Sequence, residues 1–479
     1  MDFFQKGSFT LKQQSTLKPG ENKMGTMPVG KLLINMATPM IIAMLVQAFY
    51  NVVDSYFVSR ISQDTAIKES AIAAMSLSFA IQNILIGFAT GIGVGVNALL
   101  SKSLGEGNQD RANRTAGNGV VLMLIAMVIF IFFGIFGSRG YFSLMSDTAL
   151  TVDFGTRYIS ICCICSLGIF IEILGERLLQ ASGRTIYTMI TQGTGAVVNI
   201  ILDPMLIFGI GPFPEMGIAG AAVATVIGQW VAATLAVIFN LKFNPDIQFS
   251  LKSMLPRKEI ILPVLTVGIP TIIMTSIGSV MNMGINGILQ GFTQYGEVPV
   301  NVFGIYFKLQ SFFFMPLFGL NNATISIVAY NYGARKPERI VKTLKVVCIG
   351  ALLFMLVGLG VFQAIPQVLL GIFDRSELFL TLGSRALRII SICFPFAAVC
   401  IALGASFQAL GNGIYSTIVS LCRQLIVLLP AAYLLSLSGN VYAVWWAFPI
   451  AEMMSLTATV ILFLRIYRQK IRPLQLAVS

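Results

Sequence analysis

Gln180-Ala-Ser-Gly-Arg-Thr-Ile-Tyr187 and Gln408-Ala-Leu-Gly-Asn-Gly-Ile-Tyr415 are one stretch written twice, 228 residues apart. Arg157-Tyr-Ile-Ser-Ile-Cys162 recurs as Arg388-Ile-Ile-Ser-Ile-Cys393, and Pro39-x-Ile-Ile42 as Pro270-x-Ile-Ile273, each at an offset of 231. Ser103-Leu-Gly105 stands opposite Asn331-Tyr-Gly333, each closing an apolar run before a basic loop. Matches at nearly one offset make the chain a tandem repeat. Each copy carries six apolar runs long enough to cross about 30 Å of hydrocarbon, which takes around 20 residues apiece. The expected spans lie at 32–58, 71–101, 117–137, 156–181, 185–209 and 217–241, then 259–290, 300–331, 340–365, 381–410, 414–436 and 440–467.

Six is an even number, so both copies enter the bilayer in the same direction and are related by an axis along the membrane normal. The expected fold class is therefore an all-α integral membrane protein, with twelve transmembrane helices in two pseudo-symmetric six-helix lobes. A polar tail (1–27) precedes the first lobe (28–241). A Pro- and Lys/Arg-containing linker (242–258) leads to the second lobe (259–470), and a short tail (471–479) follows.

Composition agrees. Only 11% of the 479 residues are charged, against about 25% in a soluble globular domain. The net charge of +12 does not point to nucleic acid, because the basic residues sit between apolar runs. Loops on the side of the amino terminus, such as Arg335, Lys336 and Arg339, hold about three times as many Lys and Arg as loops on the other side, such as Arg60 and Arg139. That bias predicts both termini in the cytoplasm. Residues 1–27 lack the apolar core of a signal peptide. The seven cysteines lie in or beside apolar runs, and the chain has no histidine, so Cys162-Cys163-x-Cys165 reads as packing and not as a metal motif. Gly91-x-Gly93-x-Gly95 follows no strand and reads as close helix packing.

Once the loops and the charges near the span ends are accounted for, a few ionisable residues remain within the spans: Asp54, Glu172, Glu176, Arg177, Asp203, Lys308, Arg423 and Glu452. A charge at the centre of a bilayer costs at least ~2.5–3.5 kcal/mol, so each is expected to face a partner or water. Asp203 follows Asn199 by one helical turn, which puts both on one face. Pro204 comes next and frees a carbonyl in the preceding turn. Carboxylate, amide oxygen and loosened backbone suit a proton or Na⁺; they also suit an Asn–Asp bond between helices. Asp54, after Asn51, lies toward the outer end of the first span. Its repeat counterpart is Ile285, and that of Asp203 is Ala431, so these acids are peculiar to the first half. Glu176 lies one turn after Glu172 and beside Arg177, so it reads either as an anionic cavity wall or as an internal neutralisation.

In order and spacing, Gln180-Ala-Ser-Gly183, Asn199-Ile-Ile-Leu-Asp203-Pro204, Gly220-Ala-Ala-x-Ala-Thr225 and Asn51-x-x-Asp54 resemble the multidrug and toxic compound extrusion (MATE) family of the MOP superfamily. The similarity runs over residues 28–470. The resemblance implies a V-shaped pair of lobes in the bacterial cytoplasmic (inner) membrane, driven by inward H⁺ or Na⁺ and using no cofactor. It implies cation coupling at Asp54, Asn199, Asp203 and Thr225, with no metal beyond Na⁺ there, and substrate contacts at Glu176, Asn51 and Gln180. The loop from Gly209 to Met216 is longer than in some members. The expected partners are small-molecule drugs or metabolites and membrane lipids, without nucleic acid, and the chain is expected to be monomeric. The expected function is export of cationic or amphipathic small molecules by antiport. The alternative is a flippase for lipid-linked oligosaccharide or lipid, for which Lys308 and Arg423 speak. A membrane enzyme has little support without a paired nucleophile and base.

Overall fold

The computed structural model describes residues 22–58 and 64–478; the first 21 residues of the expected tail, and Arg60 of the first outer loop, lie outside them. Among the described residues all regular structure is helical. Ten helices are long and apolar enough to cross a membrane: α1 (Val29–Val58), α2 (Thr65–Gly105), α3 (Gln109–Met145), α5 (Thr185–Phe208), α6 (Ile218–Phe243), α7 (Lys258–Gln290), α8 (Val298–Gly333), α9 (Pro337–Ala364), α11 (Gly413–Ser436) and α12 (Val441–Ala477). Two further spans are bent pairs. The α4 span joins Ala149–Ile164 to Leu167–Ala181 at 49°, and the α10 span joins Glu377–Ser391 to Phe394–Ala409 at 44°. Twelve spans result, with the two bent ones at equivalent places in the repeat. Most helices overrun the expected boundaries, since apolar runs mark the hydrocarbon while helical hydrogen bonding continues into the polar interface.

Large apolar side chains such as Phe132, Phe136, Leu353 and Val357 cover the outside of the bundle. They need lipid around them. The repeated Gln-Ala-x-Gly stretches end α4 and α10 in the same way, with Gly183 at φ 78° and Gly411 at φ 76°, a conformation that favours glycine.

The two lobes exchange the ends of one helix each. The first half of α1 (Leu32, Met36, Met40) packs into the apolar core of the second repeat. The first half of α7 (Ile260, Val264) packs into that of the first repeat. Missing side chains make this close approach possible. A Cβ on Gly91 would stand 2.7 Å from the Gly268 carbonyl oxygen; one on Gly95 would strike the Val264 carbonyl, and ones on Gly105 and Gly333 would strike Tyr330 and Lys102. Asn97 of α2 accepts a buried hydrogen bond from Ser326 of α8 at 3.0 Å. These contacts gather at the end of the bundle that carries the basic loops.

The expected tether is a docked segment. Asn118 of α3 donates to the carbonyls of Ser253 (3.1 Å) and Leu255 (3.2 Å) and accepts from Arg257 N–H (3.0 Å). A single helical turn before α1, Lys23–Thr26, lies across the same end and touches both lobes. On one side Asn22 donates to the Ser182 carbonyl (3.0 Å), and Lys23 Nζ to Asn35 Oδ1 (2.6 Å). On the other, Asn331, Lys336 and Arg339 donate to the carbonyls of Met24, Gly25 and Met27.

Candidate functional site: a cavity between the lobes

Away from the basic end the lobes part, enclosing a cavity of about 800 Å³ whose wall takes residues from both. That is within the ~300–1,000 Å³ usual for small-molecule sites. Gln180 and its repeat counterpart Gln408 both line it.

Beside it, on the first lobe, lies a cluster built by close packing of α5 on α6. Gly195 and Gly228 face one another, with a Cβ on Gly228 placed 2.8 Å from the Gly195 carbonyl, and Gly220 sits against the Leu206 carbonyl. The Gly209–Met216 loop folds back, Met216 N–H donating to the Leu206 carbonyl (3.0 Å) and Gly217 N–H to Ile207 (3.2 Å). The register is thereby set, and the longer loop does not displace Thr225. Asn199 satisfies both neighbours in one orientation of its amide: its NH₂ donates to Asp203 Oδ2 at 3.2 Å and its carbonyl accepts from Thr225 N–H at 3.1 Å. Asn199 and Thr225 line the cavity, and Asp203 is fully buried beside them. Among the described residues Asp203 has no Lys or Arg within ion-pair distance.

Asp54 is also buried, and its Oδ1 has no hydrogen-bond partner among the described residues. The ring of Phe57, one turn on, meets that of Phe208 edge-on at 6.4 Å, which keeps the ends of α1 and α5 together. A carboxylate oxygen inside a membrane protein without a donor is costly unless a cation or proton completes it. The Asn51 side chain lies outside the described residues.

Glu176 is buried on the cavity wall. Thr191 donates to its Oε1 (3.0 Å) and Gln192 to its Oε2 (3.1 Å). Arg177 donates to Gln180 Oε1 at 3.0 Å, and no ion pair joins it to Glu176 among the described residues. The direct ion pair of the Glu–Arg reading open from sequence is thus not formed among the described residues. Glu172 also lines the cavity. In the second lobe Arg423 and Glu452 pair at 3.4 Å. Lys308 is exposed and takes no part in the cavity wall.

Several wall residues carried no sequence signal, among them Gln47, Gln82, Asn83, Gln310 and Asn321. Single uncharged amides in long apolar helices also serve in helix packing. Only their convergence on one space marks them.

A family model described as MatE matches residues 39–205 and again 270–434, the two copies read from the repeat. The chain is 25% identical over 437 residues to the multidrug export protein MepA of Staphylococcus saprophyticus, covering 91% of this chain and 94% of that one. Against MepA of Staphylococcus aureus it is 24% identical over 449 residues, with the same coverage. Among solved structures, a MATE in complex with MaL6 superposes with a TM-score of 0.86 at 23% identity, over 95% of this chain and 98% of that one. An outward-facing multidrug resistance MATE family transporter of the MOP superfamily gives 0.86 at 22% identity, with the same coverage.

Proposed function

We propose, from the premise that this chain belongs to the MatE family, that it is a secondary exporter of cationic and amphipathic small molecules, driven by inward H⁺ or Na⁺. On this reading it lies in a bacterial cytoplasmic membrane with both termini inside, and the cavity is the cargo site in a form open to the outside. The names of the multidrug export relatives support the cargo class, and the excess of basic residues at the closed end supports the orientation.

The observation that carries the reading is Asp203: a carboxylate buried beside the cavity, bonded to Asn199 and without a cationic partner among the described residues. A buried carboxylate without a counter-charge binds a proton or a small cation, since either relieves the cost of holding a charge out of water. Filling that site from outside neutralises the cluster, and emptying it inward restores the charge. Antiport needs the ion and the cargo to favour different states of the protein. Cargo held at Glu176 and Gln180 meets that need if the α1–α5–α6 cluster changes packing on filling.

A flippase for lipid-linked anionic carriers would require a strongly cationic cavity. The charged groups on this wall are Glu172, Glu176 and Glu452 against Arg177 and Arg423, which does not favour it. The deciding experiment is uptake of a cationic dye into everted vesicles with Na⁺ and pH gradients imposed separately. Wild type responds to one of them and Asp203→Asn to neither; dye export by Asp203→Asn at the wild-type rate overturns the mechanism.

A further inference from the structure

The loops at the basic end close with one repeated turn. Gly107, Gly183 and Gly411 each stand at positive φ just past the end of a helix, and so does Arg335, at φ 53°. In all four the N–H of the next residue reaches back to a carbonyl five residues earlier. Asn108 donates to Ser103 (3.0 Å), Arg184 to Leu179 (2.7 Å), Asn412 to Phe407 (2.7 Å) and Lys336 to Asn331 (2.9 Å). Glycine ordinarily supplies this helix ending. Arg335 is the repeat counterpart of Gly107, and among the described residues it is the one non-glycine at positive φ.

A side chain in that conformation costs more than a positive charge gains from an exposed helix C-terminus. The turn itself therefore gives no reason for an arginine. The reason lies where the side chain goes. Arg335 lines a second pocket, of about 610 Å³, at the seam where α2 of the first lobe meets α8 of the second. Its side chain makes no hydrogen bond or ion pair among the described residues.

Across the seam, Lys102 of α2 lines the same pocket, as do Gly105 and Gly333, where the two helices touch. Lys102 Nζ lies 5.4 Å from the centre of the Tyr332 ring. It stands 3.6 Å from Glu106, well beyond the ~2.7–2.9 Å of a formed charge-assisted bond. Glu106 is the one acid on this wall among the described residues, and Arg111 takes it up from outside the pocket at 3.3 Å. The helix-end carbonyls that would repel an anion are occupied: those of Lys102, Tyr330 and Asn331 accept from Glu106, Ala334 and Lys336 N–H. Two cations with unused donors, one from each lobe, thus share one space.

We propose that this pocket binds a phosphate group across the seam, held by the Arg335 fork from one lobe and the Lys102 ammonium from the other. The ligand is a phosphate monoester or diester, free in the aqueous phase or borne on the headgroup of an anionic lipid. A planar guanidinium matches two phosphate oxygens at once, and an ammonium adds a compact charge beside it. A cation is repelled by the same pair. The site is separate from the cavity between the lobes and does not depend on what that cavity carries.

The test titrates the purified full-length protein in detergent, by calorimetry at matched ionic strength, with inorganic phosphate and with dihexanoyl phosphatidic acid. Wild type is expected to bind. Binding of inorganic phosphate assigns the site to free phosphate compounds, and binding of the lipid alone assigns it to a membrane headgroup. Arg335→Gly restores the residue of the other three turns, so its thermal midpoint without ligand should not fall below that of wild type. It is expected to weaken binding by about tenfold or more, the worth of a hydrogen-bonded charge. Lys102→Gln should weaken it too, since each lobe supplies one cation. Lys252→Gln, at an exposed position outside the pocket wall, should stay within twofold. No binding of either probe by wild type, a loss confined to one of the two pocket variants, or an equal loss in Lys252→Gln overturns the inference.

Discussion

The two lobes share a framework and differ in their charges. Both bend their fourth span, end it with a glycine at positive φ, and place a glutamine on the cavity, Gln180 in one and Gln408 in the other. The fifth span of the first lobe then holds Asn199 and Asp203 in an unbroken α-helix that runs through Pro204. The corresponding span of the second lobe has Gly-free wide turns before Pro430 and brings out Arg423. Features that fold both halves recur in both, whereas the acids occur where their counterparts are Ile285 and Ala431. The difference teaches that the first lobe keeps Asp54 and Asp203 buried without a cationic partner among the described residues, as the proposed cation site requires, and the second keeps a self-neutralised pair.

The largest effect should come from removing that specialisation. Asp203→Asn keeps the size and the hydrogen bond to Asn199 but removes the charge that a cation or proton would neutralise. Ion-driven dye uptake in everted vesicles is expected to fall by ~5–150-fold, the usual range of a coupling free energy. Dye binding to purified protein should stay within a fewfold. A variant that binds and transports like wild type erases the distinction between the lobes.

Next comes the pair in the other lobe. Glu452→Gln leaves Arg423 without its counter-charge at membrane depth, and breaking a buried pair from one side costs about 3–5 kcal/mol. Arg423→Gln/Glu452→Gln removes both charges and should lose less. Thermal unfolding in detergent checks the order. If the double variant is the less stable, the pair is a structural cross-link and the lobes are less different than drawn.

The shared framework was legible in the sequence because a repeat and a run of apolar residues are one-dimensional signals. Twelve spans and the shared face of Asn199 and Asp203 follow from spacing along the chain, whereas Thr225 came with the family resemblance and the bends in the fourth spans carried no sequence signal. What spacing does not carry is pairing between segments far apart. Arg177 stands next to Glu176 in sequence yet bonds to Gln180, while Glu176 is held by Thr191 and Gln192 of the next helix. Lys308, which the sequence offers beside Arg423 as a cation for the flippase reading, is exposed and takes no part in the cavity wall. The exchange of α1 and α7 between cores was likewise invisible, because a Gly-x-Gly-x-Gly run announces a close neighbour without saying which.

Those glycines give a third way to sharpen the comparison, at the end where the lobes meet. Gly95→Ala places a methyl group against the Val264 carbonyl, a backbone atom that cannot step aside. Overpacking of this kind costs about 1–3 kcal/mol, and it falls on the closed arrangement of the basic end. Gly193→Ala, with nothing within 4 Å of the added Cβ, is the control. Labelling of a cysteine at Thr26 by a membrane-impermeant maleimide should rise for Gly95→Ala and not for Gly193→Ala.

The smallest expected effect concerns the turn that straps the lobes together. Lys23 donates to Asn35, and desolvation, with the nearby Arg184 guanidinium, lowers its pKa from 10.5 to about 8. A released Lys23 in water regains the ordinary value, so release takes up a proton in the window between about 8 and 10.5. Docking therefore tightens as pH rises through that window and is weakest below it. From pH 7 to 8.5 the linkage amounts to at most about a fourfold gain in the docking equilibrium, less with solvent screening. An environment-sensitive dye on Thr26→Cys should report a gain of that sign, and the same dye on a Lys23→Met background should be flat with pH. The strap touches Ser182 and Asn35 in one lobe and Asn331 and Arg339 in the other, so a response flat with pH in the Lys23 protein would mean that Lys23 stays in water and the strap is held by the second lobe alone.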